Sequence, residues 1–308
     1  MGYKGIKPAF LAVYLIFFAS GLFAAGNSIP GVPDIGVSGK MDWEKGELSV
    51  TAEFNIGQAG IRFPSGRNQA EEILGSEYLG FIKPLLFSLQ ADSSSTVEDL
   101  VNRGELSQQE LDGICLAAQK TPPNFTADLT RFSGSYTVKQ SMITAALIRH
   151  SRAGEPIRPV IPSPAANYTG IIIVADTMLP IHGRNTSALL NPCLFPKIWD
   201  SEMNLIYEKN LTDPQVLGSG ERNMVQYIRS DAIYKSTPSG LDPELVKLVG
   251  DRPLKIFAGS IYGLVPTDPV IDRDDALVIL SNDNNRRLLR DGKIAFVINE
   301  NMLSRALP

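Results

Sequence analysis

Apolar and polar residues alternate through GVSGKMDWEKGELSVTAEFNI, residues 36–56. Val37, Met41 and Trp43 precede the turn signal Glu44-Lys45-Gly46, and Leu48, Val50, Ala52, Phe54 and Ile56 follow it at period two. This predicts a β-hairpin with one apolar face, which must lie against a cover. The cover is expected from a helix running from about Gly66 to Leu74 and resuming from Phe81 to Leu89. Ala70, Ile73 and Leu74 have helical spacing, Gly75 and Gly80 mark a weak point, and Pro84 a kink. Two helices with explicit start signals follow. Ser95 or Thr96 caps the first, with Glu98 and Asp99 in its opening turn, and Ser107 with Glu110 forms a capping box for the second. The stretch SGSYTVKQSMITAALIRH, 133–150, reads as strand.

The pattern breaks at RAGEPIRPVIPSPAAN, 152–167, where Pro156, Pro159, Pro162 and Pro164 forbid a continuous ladder and favour a stiff, extended connector. A domain boundary is placed there. Beyond it YTGIIIVAD, LFPKIWD, NLIYEK, NMVQYIR, PLKIFAGSIYG and KIAFVIN predict short strands, with helices at 241–250 and 274–290. The expected fold class is α+β in two domains: a β-hairpin-plus-helices domain over 26–151, the connector 152–167, and a strand-rich α+β domain over 168–308.

Residues 1–25 carry Lys4 and Lys7, an apolar core of about fifteen residues, shorter than the ~20 of a spanning helix, and then small residues at Ala24 and Ala25. This predicts a secretory signal peptide, a periplasmic or cell-surface destination, and no membrane span once it is removed. Its loss takes the basic residues from 29 to 27 against 33 acids, a net charge of −6, which argues against nucleic-acid binding. Cys115 and Cys193 are too few for a disulfide scaffold and lack metal-ligand spacing. Each sits among apolar neighbours, and the sequence leaves open one bridge or two buried thiols.

Candidate chemistry is sparse. His150 and His182 are the only histidines. The alternative reading is an exported hydrolase or ligand-binding enzyme using the loop 176–187, with a hydrolytic triad on His182, Asp176 and Thr186 or Ser187, but no Gly-x-Ser-x-Gly elbow accompanies it. Asp268, Asp272, Asp274 and Asp275 invite a calcium reading. They lack the central Gly and closing Glu of a calcium loop, and Asp272 as the N-cap of a helix with an acidic first turn explains them better. GSGERN at 218–223 and SGR at 65–67 lack the features of phosphate or dinucleotide loops and read as turns. Asn124, Asn167, Asn185 and Asn210 head glycosylation sequons relevant only to a eukaryotic secretory route. Trp43, Trp199, Tyr207 and Tyr227 read as sheet-face or core residues. No catalytic, cofactor-binding or metal residue is assigned, and no cofactor is expected.

The ordered blocks of the second half resemble a family of exported bacterial proteins that includes small envelope lipoproteins and the flagellar outer-ring protein FlgT. The matching positions are Thr169, Gly170, Asp176, Pro196, Asp200, Tyr207, Tyr227, Pro253, Leu254 and the run Ile294 to Ile298. The chain lacks the family's lipidation Cys. The resemblance implies a non-enzymatic structural or assembly component of the envelope, flagellum-associated, with envelope or flagellar proteins as partners, and it implies that Asp176 ends a strand rather than performs catalysis.

Overall fold

In the computed structural model, which describes residues 34–62 and 65–308, the first hairpin forms as its alternation predicts; residues 1–25, where a signal peptide is expected, lie outside the described residues. Strands β1 (Ile35–Asp42) and β2 (Glu47–Asn55) pair antiparallel, and Leu48, Val50, Ala52 and Phe54 are buried in strict alternation with half-buried or exposed neighbours. Helix α1 (Arg67–Phe87) covers them. It runs unbroken through Gly75, Gly80 and Pro84 instead of stopping and resuming. Burial of Ala70, Leu74, Tyr78, Phe81, Leu85 and their neighbours outweighs the ~1 kcal/mol that each glycine, and ~3 kcal/mol that a proline, costs inside a helix. The helix seats itself over Gly39, where a Cβ would lie 2.5 Å from the Leu85 Cδ1.

Helices α2 (Val97–Asn102) and α3 (Gln108–Leu116) start on the expected caps: Thr96 with Asp99, and Ser107 with Glu110, each pair bonding reciprocally. Strand β3 (Gln119–Phe125) has no counterpart in the sequence reading, because Pro122 and Pro123 argue against a strand. It is an edge strand, where missing N–H groups are tolerated, with a register shift between Thr121 and Asn124. The strand reading of 133–150 holds for β4 (Arg131–Lys139) only; the Gln140 N–H bonds to the Gly46 carbonyl at 2.8 Å, leaving the β4 ladder, and α4 (Gln140–Ala146) follows.

The second half contains β5 (Ile171–Ala175), a short hairpin of β6 (Leu179–Pro180) and β7 (Ser187–Ala188), β8 (Ile198–Asp200), β9 (Leu205–Tyr207), α5 (Pro214–Gly218), β10 (Gln226–Ile228), α6 (Pro243–Val249), β11 (Leu254–Phe257), β12 (Ser260–Tyr262), β13 (Asp268–Ile271), α7 (Arg273–Leu280), α8 (Asp283–Arg290), β14 (Ile294–Ile298), α9 (Glu300–Leu303) and β15 (Ser304–Leu307). Its main sheet, in the order β10-β14-β5-β11, is parallel throughout. A second sheet, β12-β13-β8-β9, is mixed.

IIIVA and IAFVI are continuous apolar runs because both faces of the parallel sheet are covered; every residue of β5 and β14 is buried. Ile172, Val174, Ala295 and Val297 pack with Leu241, and with Leu245 and Val249 of α6, on one face. Ile171, Ile173, Ile294 and Phe296 point the other way into a core continuous with that of the hairpin domain. Trp43 meets Tyr227 edge-on at 5.7 Å, and Tyr227 meets Phe296 edge-on at 5.9 Å. The chain end then returns: β15 pairs antiparallel with β1 and completes the first sheet as β15-β1-β2-β4-β3. The molecule is thus α+β with two domains. Among the described residues no helix is long and apolar enough to cross a membrane.

Trp43 is 5 % exposed and central to the seam. Trp43→Ala is expected to cost about 3–5 kcal/mol and to lower the urea midpoint of both domains together. Circular dichroism and the fluorescence of Trp199 follow the two; an unfolding of the hairpin domain that leaves the Trp199 signal in place contradicts a shared core.

Candidate functional site

Open parallel sheets bind ligands outside the carboxyl ends of their strands, so these ends are the first place to look. Asp176 follows β5, Ser230 follows β10 and Asn299 follows β14. The Ser230 hydroxyl donates to Asp176 Oδ2 at 2.5 Å, and the Asn299 Nδ2 donates to the Asp176 carbonyl at 3.1 Å. Asp176 therefore staples three strand ends together. The imidazole of His182 is elsewhere: the residue is exposed, its backbone N–H bonds to the Ile261 carbonyl at 2.7 Å, and its ring lies edge-on to Tyr262 at 6.3 Å. Among the described residues no hydrogen bond or ion pair joins His182 to the side chains of Asp176, Thr186 or Ser187. His150 Nε2 lies 2.8 Å from the Thr212 carbonyl.

The acids at 268–275 separate in space and role. Asp272 accepts from the Asp274 N–H at 2.9 Å as the cap of α7. Asp268 is buried in the second sheet and takes bonds from the Lys197 N–H at 3.1 Å, Trp199 Nε1 at 3.3 Å and the Thr267 hydroxyl at 2.8 Å. Burial raises its carboxyl above the usual range, against the pull of those donors. Among the described residues no three His, Cys, Asp or Glu side chains gather as a metal-holding group. Cys115 and Cys193 are both buried, unbridged thiols; burial pushes Cys115 up to about 11 and Cys193 well above its ordinary value. Such thiols are protonated and inert at neutral pH.

The domain seam carries a trough that no sequence motif marks, because its walls come from distant segments. One polar stretch of it, a cleft of about 540 Å³, is lined by Glu44, Arg229, Asp231, Lys235, Asp242 and Leu248. Arg229 forks onto Glu44 at 3.0 and 2.6 Å. Gln226 and Leu248 lead into a polar cleft of about 330 Å³ with Lys45, Lys139, Arg222 and Asn223. Glu47 and Lys139 lead on to a groove of about 660 Å³ beside α3 and α4, whose far wall is the Gly218-Ser219-Gly220 turn.

The Pro-rich connector crosses the surface between pins. Arg149 bonds the Glu105 carbonyl at 2.8 Å and the Glu110 carboxylate at 2.9 Å. The Gly154 N–H reaches the Asn210 carbonyl at 2.7 Å, and the Ser163 N–H reaches the Ser281 hydroxyl at 2.8 Å. Between the last two pins Ile157, Val160 and Ile161 are 59, 99 and 82 % exposed.

Two expectations follow. The Tyr227 hydroxyl donates to the Cys193 carbonyl at 2.9 Å and accepts from the Cys193 N–H at 3.0 Å; Tyr227→Phe strands both buried groups and is expected to cost about 1–3 kcal/mol by urea denaturation. Glu110 is held down at about 2, first by the Arg149 guanidinium and then by Ser107. Its folded value lies below its ordinary one, so its stabilisation is full above about 4.5 and is lost as the pH falls towards 2. Urea midpoints of the wild type and Glu110→Gln should therefore differ at neutral pH and converge across that interval; a constant difference excludes the linkage.

Among curated proteins none matches the chain. The FlgT-like resemblance is corrected by the family models that do match, which describe a different protein and cover both halves of the chain rather than one. Residues 34–145 match the model described as Treponema pallidum Tp0624, N-terminal domain, and residues 170–300 match that described as its second domain, so both folded halves are similar to Tp0624, in the same order.

Proposed function

We propose that the chain is a non-enzymatic protein of the bacterial envelope, exported by the segment 1–25, that works as a structural or assembly component through protein–protein contacts. The observation that carries this reading is the pinned connector, which holds three branched aliphatic side chains out in water on a frame whose domains share a core. Exposed apolar groups on a rigid support are the usual mark of an interaction surface. The polar groups best placed for chemistry have structural partners instead: Asp176 takes the Ser230 hydroxyl and His150 the Thr212 carbonyl. The flagellar association rested on the FlgT resemblance and is not part of the proposal.

The test is crosslinking of an epitope-tagged full chain in cells, with fractionation of the envelope and mass spectrometry of the adducts. Reproducible adducts with the same one or few envelope proteins are expected. A cytoplasmic chain, or a monomer that crosslinks to nothing and hydrolyses a test substrate in a His182-dependent manner, overturns the reading.

A further inference from the structure

We propose that the polar cleft of about 330 Å³ at the domain seam binds a short zwitterionic peptide, whose charged groups sit in the cleft and whose apolar side chain lies in the adjoining groove beside α3 and α4. The site goes beyond the contact-mediated role proposed above and does not depend on it. The cleft is fastened across the seam at both ends. Towards Arg229 the Gln226 Nε2 donates to the Glu44 carbonyl at 2.5 Å, and towards the groove the Ser141 hydroxyl donates to the Gly220 carbonyl at 2.6 Å. Arg222 is held in the wall by the Asp291 and Gly292 carbonyls at 3.3 and 3.2 Å. Between these fastenings the charges are unengaged. Lys45, Glu47, Lys139 and Glu221 all line the cleft, and among the described residues none of their side chains makes an ion pair or a hydrogen bond. Glu47 and Lys139 are directly opposed on β2 and β4, a position where opposite charges ordinarily meet, and they stay apart.

The layer behind them is also unsatisfied. Gly46, at the hairpin turn with a φ of +65°, lines the cleft, and a Cβ there would lie 2.7 Å from the Asn223 Nδ2 and 3.5 Å from the Gln140 Oε1. Asn223 lines the cleft too, and Gln140 is 1 % exposed. The Asn223 Oδ1 and both amide atoms of Gln140 are buried without a hydrogen-bond partner, a state that calls for a polar group to be admitted.

Three features set the class of ligand. Charges of both signs on one small cleft disfavour a simple anion, which would face Glu47 and Glu221, and a simple cation, which would face Lys45 and Lys139; a zwitterion answers both sets. A carboxamide presents a donor and an acceptor together, and a peptide group matches both. Glu47 and Lys139 also line the groove of about 660 Å³, where Ile114, Ala117, Met142 and Ala146 offer an apolar wall to a side chain.

The experiment titrates the purified chain with the dipeptide Ala-Leu at up to about 10 mM by calorimetry, beside N-acetyl-Ala-Leu, Ala-Leu amide and inorganic phosphate. Saturable binding of Ala-Leu at one site is expected, with a thermal midpoint that rises with its concentration because the walls come from both domains. Blocking either terminus should weaken binding at least tenfold, and so should the Glu47→Gln/Lys139→Gln variant, whose own thermal midpoint stays where it was since neither side chain has a partner to lose. Absence of both heat and midpoint shift with Ala-Leu overturns the site. Phosphate bound as tightly as Ala-Leu, or binding unmoved by the blocked termini or by the double variant, overturns it as well. Each of these results leaves the proposed envelope role standing, since crosslinking in cells tests that role by itself.

Discussion

A parallel sheet cannot leave either face in water, and that requirement organises this molecule. Helix α6 and the turn before it cover the face carrying Ile172, Val174, Ala295 and Val297. The opposite face is closed in part by the hairpin domain, through Trp43 on Tyr227 and Tyr227 on Phe296. On that side the two domains share one interior, and one is part of the lid of the other. The return of β15 to the edge of β1, and the Trp43 N–H bonded to the Leu303 carbonyl at 2.8 Å, fasten the same seam at the backbone. A connector that would be a hinge between independent domains becomes a strap on a single body.

The same economy shapes the chemistry. At the strand ends, where a sheet of this kind offers its best ligand site, the Asp176 carboxylate is bonded to Ser230 and its carbonyl to Asn299. The cleft along the seam is lined by charges, and Arg229 and Glu44, its most conspicuous pair, are paired across the domains. Arg–carboxylate forks of this exposure add little stability, and their value lies in fixing orientation. Among the described residues the most exposed large apolar side chains, Val160 and Ile161, lie on the connector, and the functional reading rests there.

Much of the fold was legible. The hairpin alternation, both capping boxes, the cap at Asp272 and the buried runs IIIVA and IAFVI each state their structure through local chemistry. The helix expected over 274–290 is two, α7 and α8, and PLKIFAGSIYG is two strands, β11 and β12. Three further misreadings share one reason. The continuity of α1 past two glycines and Pro84, the edge strand at Pro122–Pro123, and the switch from β4 to α4 all run against local propensity, and packing or edge position overrides it. The FlgT likeness failed differently. An apolar strand closed by an acid and a turn held by Asp200 record how strands stop, which unrelated sheets share. Asp200 indeed only ties its own turn, accepting from the N–H groups of Glu202 and Asn204.

The sequence by itself determined the alternation of the hairpin, where α2, α3 and α7 begin, and that 152–167 interrupts the ladder, because burial period, capping and proline stereochemistry act within a few residues. Tertiary structure alone decided that the sheet β10-β14-β5-β11 is parallel, that β15 closes the first sheet, that the two thiols stay apart, and that Val160 and Ile161 remain in water. Each of these depends on which distant surface arrives to cover an apolar face, and hydrophobic burial carries no record in the chain of the partner that satisfies it.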